Sequence, residues 1–69
     1  MAHSYKWTDV TDIAIDLEDQ YPDTNILSLR FTDLWTMVTK LKGFDDDPQN
    51  SSEKVLEAIQ TAWLDERDE

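Results

Sequence analysis

No cysteine occurs in this chain of 69 residues, so nothing covalent can hold its fold together. A domain this short lies near the lower limit for folding on an unaided hydrophobic core. Ordering it costs on the order of 100 kcal/mol at about 1.5 kcal/mol per residue, so nearly every large apolar side chain must be buried. The same absence removes thiolate metal sites, Fe–S ligation and cysteine nucleophiles. His3 is the only histidine, which leaves little from which to build a structural zinc site. The reading is one domain over residues 1–69, with residues 1–5 expected to fray.

Charge excludes further classes. Sixteen acids against six bases give a net charge of −10. Nucleic-acid affinity comes largely from Lys and Arg neutralising phosphates, and this chain has no basic face to offer. Anionic membrane surfaces are disfavoured on the same ground. No apolar run is long enough to span a bilayer, and the opening MAHSYK has no signal-peptide core. A cytoplasmic monomer is expected. Cations and basic protein surfaces remain the attractive partners, with plain solubility as the competing explanation.

The hydrophobic pattern is helical throughout. Lys6-Trp7-Thr8-Asp9 and Arg30-Phe31-Thr32-Asp33 repeat one base–aromatic–Thr–Asp pattern. Each reads as a helix start with Thr as N-cap, Asp in the first turn and the aromatic just before it. A first helix is expected over Asp9–Tyr21, stopped by Pro22, with Val10, Ile13, Ala14, Leu17 and Tyr21 on one face. A short turn of helix should follow over Asn25–Ser28, and then an extended Leu29-Arg30-Phe31. The second long helix is expected over Asp33–Lys42, burying Leu34, Met37, Val38 and Leu41, with Gly43 as its C′ residue. Asn50-x-x-Glu53 reads as a capping box for a last helix over Ser51–Glu66, burying Val55, Leu56, Ile59, Ala62 and Trp63. Trp7, Phe31, Phe44 and Trp63 are assigned to the core, and Trp35 to its edge. The sum is an all-α domain of three to four helices, similar to helix-turn-helix architecture.

Two acidic elements stand out. Asp9, Asp12, Asp16 and Asp19 fall within about 80° of arc on the first helix, opposite its apolar face. Like charges three or four apart cost a few tenths of a kcal/mol each, and no Lys or Arg lies between Trp7 and Leu29 to offset them. The positive helix N-terminus accounts for Asp9 and Asp12, but it disfavours Asp16 and Asp19. A merely solvated face could have used Gln, Lys or Ser, so the stripe points to binding. Carboxylates without imidazole or thiolate suit hard cations, iron as Fe2+ or Fe3+ among them, held weakly with water in the first shell.

The second element is Asp45-Asp46-Asp47. Tested as a calcium loop from Asp45, it has Asn50 where the turn glycine belongs and Leu56 where the bidentate Glu belongs, so it is not an EF-hand. There is no Ser/His/Asp arrangement, and a single glycine excludes a phosphate loop. An enzyme is not expected.

These motifs together resemble the IscX (YfhJ) family of bacterial iron–sulphur cluster assembly proteins. The resemblance rests on Lys6-Trp7-Thr8-Asp9, Tyr21-Pro22-Asp23, Arg30-Phe31-Thr32-Asp33, Phe44 to Gln49, Glu53-Lys54, Leu56 to Ile59 and Trp63 to Glu66. It implies a modified winged-helix-like domain that binds iron weakly and docks on the cysteine desulfurase IscS. There it would act as an adaptor or regulator, overlapping with the bacterial frataxin homologue. The acidic positions it carries over are Asp9, Asp12, Asp19, Asp23, Asp33, Asp45, Asp46 and Asp47, whereas Asp16 rests on the stripe alone. Lys40, Lys42 and Gly43 depart from it, standing where relatives can carry acids.

Self-repulsion at −10 predicts a fold sensitive to screening. Added salt should raise the melting temperature, read by circular dichroism. A melting temperature that stays flat from low to moderate salt would mean the acids are too dispersed to repel.

Overall fold

The apolar faces read from the sequence close on one another from three helices. The computed structural model describes residues 4–68, with α1 (Val10–Gln20), α2 (Phe31–Thr39) and α3 (Glu53–Asp68), and 3-10 turns at Ile26–Ser28 and Pro48–Asn50. α1 packs chiefly on α3, and α2 closes the third side. The core takes Ile13, Ala14 and Leu17 from α1, Leu34 and Val38 from α2, and Leu56, Ile59 and Trp63 from α3. Phe31 and Phe44 are half-buried against it, and so is Trp35, as its edge position implied. The all-α expectation therefore holds. Of a wing, the described residues contain one isolated parallel bridge, Tyr5 with Phe44.

That bridge corrects the reading of the N-terminus. Tyr5, expected in the frayed end, is a core residue at 2% exposure; residues 1–3, His3 among them, lie outside the described residues. Tyr5 N donates to Gly43 O at 2.9 Å, and Asp45 N donates to Tyr5 O at 2.8 Å. Gly43 is buried at this crossing, and no described residue has a positive φ. It therefore serves a close backbone approach rather than the left-handed C′ turn expected of it. α2 ends earlier than expected, at Thr39, and the chain turns on through Leu41 N to Val38 O and Phe44 N to Leu41 O, both 3.1 Å.

The caps also differ from the sequence reading. Asp9, not Thr8, is the N-cap of α1, and Arg30, not Thr32, that of α2. In both copies of the motif the aspartate bends back to the basic residue's amide: Lys6 N donates to Asp9 Oδ2 at 3.0 Å, and Arg30 N to Asp33 Oδ2 at 3.4 Å. What repeats is this hydrogen bond rather than a threonine cap. At α3, Ser52 Oγ accepts from Val55 N at 3.3 Å, while Asn50 donates instead to Asp46 Oδ1 at 3.2 Å. The Asn50–Glu53 capping box does not form, because Asn50 belongs to the preceding 3-10 turn.

Arg67, in the last turn of α3, fastens the far end of α1. Its Nε donates to Glu18 Oε1 at 3.0 Å, one terminal nitrogen donates to Tyr21 O at 3.0 Å, and the other bonds Thr24 O. Trp63 Nε1 donates to the same Glu18 oxygen at 3.0 Å, with the guanidinium 5.5 Å from the Trp63 ring centroid. The exposed carbonyls at the end of a helix need such donors, and a planar fork supplies several at once. Arg67→Met should lower the unfolding free energy by about 1–2 kcal/mol in a urea titration. Arg67→Lys, which keeps the charge without the fork, should recover less than half of that loss. Unchanged stability in Arg67→Met would reduce these bonds to surface contacts.

Candidate functional site along the first helix

The carboxylates of α1 have unequal environments. Asp9 and Asp19 are exposed, whereas Asp12 and Asp16 are half-buried. Asp16 Oδ2 accepts from the Tyr5 hydroxyl at 2.6 Å. Burial, reinforced by that bond and by the charges of Asp16 and Asp12, holds the Tyr5 phenol well above its ordinary pKa. Asp16 thus ties the N-terminal segment to α1. Asp19 lines an open cleft of about 540 Å³ with Ile15, Asp16, Glu18, Pro22 and Glu66.

The three loop aspartates each do something different. Asp46 accepts from Trp7 N at 3.1 Å through one oxygen, and from Asp47 N at 2.7 Å and the Asn50 side chain through the other. Asp47 Oδ1 caps the 3-10 turn by accepting from Gln49 N at 2.9 Å, while its carbonyl accepts from Trp7 Nε1 at 2.8 Å. Asp45 contributes its backbone, with Lys6 Nζ donating to Asp45 O at 3.0 Å, and its side chain is exposed. The Asp46 and Asp47 carboxylates are therefore engaged within the loop, Asp46 on Trp7 and Asp47 on the 3-10 turn, while that of Asp45 is exposed with no such bond among the described residues.

Stripe and loop meet. Asp9 and Asp45 line one small cleft of about 150 Å³ with Ser4, Tyr5 and Lys6. Asp23 is exposed in the turn after α1, and Asp33 sits on α2 outside the clefts of Asp9, Asp19 and Asp45. A further cleft of about 210 Å³ sets Asp16, Gln20 and Tyr21 against Lys40, Leu41 and Lys42. The bases missing from the sequence around the stripe thus arrive through the fold, as Lys6, Lys40, Lys42 and Arg67. Among the described residues, no three His, Asp or Glu side chains gather as a metal site.

Two site-shaping residues escaped the sequence reading. Tyr5 could have been found from its alternation with Trp7 across the exposed Lys6, the period-two sign of an extended segment. Arg67 carries a weaker sign, a lone base within Asp65-Glu66-Arg67-Asp68.

The Trp7 amide, then that of Asp47, with smaller help from Asn50 and the Lys6 charge, hold the Asp46 carboxyl below the usual range. A lowered folded pKa stabilises the fold above the ordinary carboxyl value of about 3.9, and that contribution is lost as pH falls through the folded value. Asp46→Asn should therefore melt below the parent at neutral pH, with the gap closing as the pH drops below about 4. A gap that persists unchanged down to about pH 2 would show that charge is not what holds the loop.

Comparison with known proteins agrees with the resemblance. The family model described as iron-sulphur cluster assembly matches residues 5–68. The uncharacterized protein PA3808 of Pseudomonas aeruginosa is 54% identical over 65 residues, covering 94% of this chain and 98% of that protein. From Tyr5 to Asp68, this chain belongs to the iron–sulphur cluster assembly family, of the IscX type.

Proposed function

We propose that this chain is a non-catalytic acidic adaptor that docks on the cysteine desulfurase IscS, binds iron weakly, and regulates cluster assembly there. Membership of the family supports a role in iron–sulphur cluster assembly. The observation that carries the finer reading is the presence of exposed acid at both ends of α1. Asp45 and Asp9 share a cleft at its start, and Asp19 and Glu66 share one at its end. A face of this length meets a basic surface on a partner, with long-range attraction raising the association rate. A frataxin homologue that used the same basic surface would compete for it. No described helix is long and apolar enough to cross a membrane; the proposal places the protein in the cytoplasm.

Iron enters as cargo. The donors are of the right hardness, but they are not gathered in threes among the described residues. Ones and twos of carboxylates, with water completing the shell, give loose and exchangeable binding. A second reading is an acidic interaction module whose metal binding is incidental. It is favoured by the hydrogen bonds that Asp9 and Asp16 already accept within the fold. Iron titration with and without the desulfurase separates the two: affinity raised by the partner supports the adaptor, and unchanged weak binding supports the module.

Docking itself is tested at Asp45. Asp45→Lys should slow association with the desulfurase severalfold at low salt in stopped-flow measurements, leaving the melting temperature unchanged. Glu57→Lys, on the exposed side of α3, should do less. Equal slowing by both variants would mean that net charge alone, rather than this face, governs binding.

A further inference from the structure

Ile15 lies on the wrong side of its helix. α1 buries Ile13, Ala14 and Leu17, while Ile15 points away from the core and is 47% exposed. Isoleucine is only a middling helix former, so an exposed position gains nothing from it in helix stability. It lines the 540 Å³ cleft together with Pro22, and the remaining walls are Asp16, Glu18, Asp19 and Glu66. One of its walls, Glu18, is held by the 2.9 Å ion pair to Arg67 that joins the end of α1 to the end of α3. Two exposed apolar side chains set among four carboxylates have the composition of an interface hot spot, an apolar centre that a partner desolvates within a polar border.

We propose that Ile15 anchors the acidic docking face, and that the occupant of this cleft is a basic protein surface presenting an aliphatic side chain flanked by Arg or Lys. The aliphatic group covers Ile15 and Pro22, while the flanking cations meet Asp16, Asp19 and Glu66. Charge complementarity selects this occupant: an uncharged apolar segment would bring no cation to Asp19 and Glu66, and a purely cationic one would leave Ile15 in water. The proposal rests on the docking reading above and adds to it a division of labour. Rim carboxylates set the association rate, and the apolar centre sets the dissociation rate.

The experiment measures both rates for the full chain binding the desulfurase, in the parent and in Ile15→Ala, Asp19→Asn and Leu27→Ala. Leu27 is the control, 76% exposed on a 3-10 turn outside the cleft. Ile15→Ala should raise the dissociation rate roughly tenfold while leaving the association rate, its salt dependence and the melting temperature unchanged. Asp19→Asn should act on association, and Leu27→Ala on neither. A dissociation rate unchanged by Ile15→Ala, or raised equally by Leu27→Ala, overturns the anchor. If the parent does not bind the desulfurase, the functional reading falls, and two peptides decide the anchor by NMR titration. A peptide alternating Arg and Leu should bind more tightly than one alternating Arg and Ser and should shift Ile15, and this advantage should vanish in Ile15→Ala. Equal binding of the two peptides by the parent overturns the proposal.

Discussion

Both N–H groups of Trp7 end on one short segment, the amide on the Asp46 carboxylate at 3.1 Å and the indole on Asp47 O at 2.8 Å. A tryptophan can be buried only if its indole N–H finds an acceptor, and here the loop after α2 supplies it. Phe44 closes against the ring edge-on, with centroids 4.7 Å apart. The Tyr5–Phe44 bridge lies two residues back along the chain, and the turn leading into α1 begins one residue back. The position of α1, and hence of every carboxylate along it, follows from how this one side chain is satisfied.

The acid content of the chain thereby divides. Asp9, Asp16, Glu18, Asp46 and Asp47 accept hydrogen bonds from amides, a phenol, an indole and a guanidinium. In a protein with six bases, N–H and O–H donors take over much of what cations would otherwise do. Asp19 and Asp45 remain exposed, in clefts at opposite ends of α1. Carboxylates bonded within the fold and the exposed Asp19 thus share one stretch of chain, which is why neither reading of the stripe accounts for all of it.

Periodicity made the buried faces of α1 and α3 legible, because a 3.6-residue repeat is a local property. Leu17, Ile59 and Trp63 fall where that repeat places them. What stayed hidden depended on contacts remote in sequence. Gly43 looked like a helix terminator because its role needs Tyr5 across from it, and Asn50 looked like a cap because its true partner, Asp46, precedes it in the loop. Thr8 and Thr32 are good caps by type, yet the motif used its aspartates instead. The structural part played by Asp46 stayed hidden because a run of acids gives no hint of a tryptophan amide 39 residues earlier.

The Arg67 fastening has a consequence for the making of the protein. Its bonds to Tyr21 and Glu18 span 46 and 49 residues, while Tyr5 and Trp7 are tied to the loop some 40 residues on. Helix α1 is therefore secured at one end by the middle of the chain and at the other by its last described turn. A nascent chain leaving the ribosome cannot complete this arrangement until Arg67 has emerged, so α1 is fastened at its far end only after nearly all of α3 has been made. Until then the acids repel one another on an unfinished scaffold, and the same charge keeps the growing chain soluble.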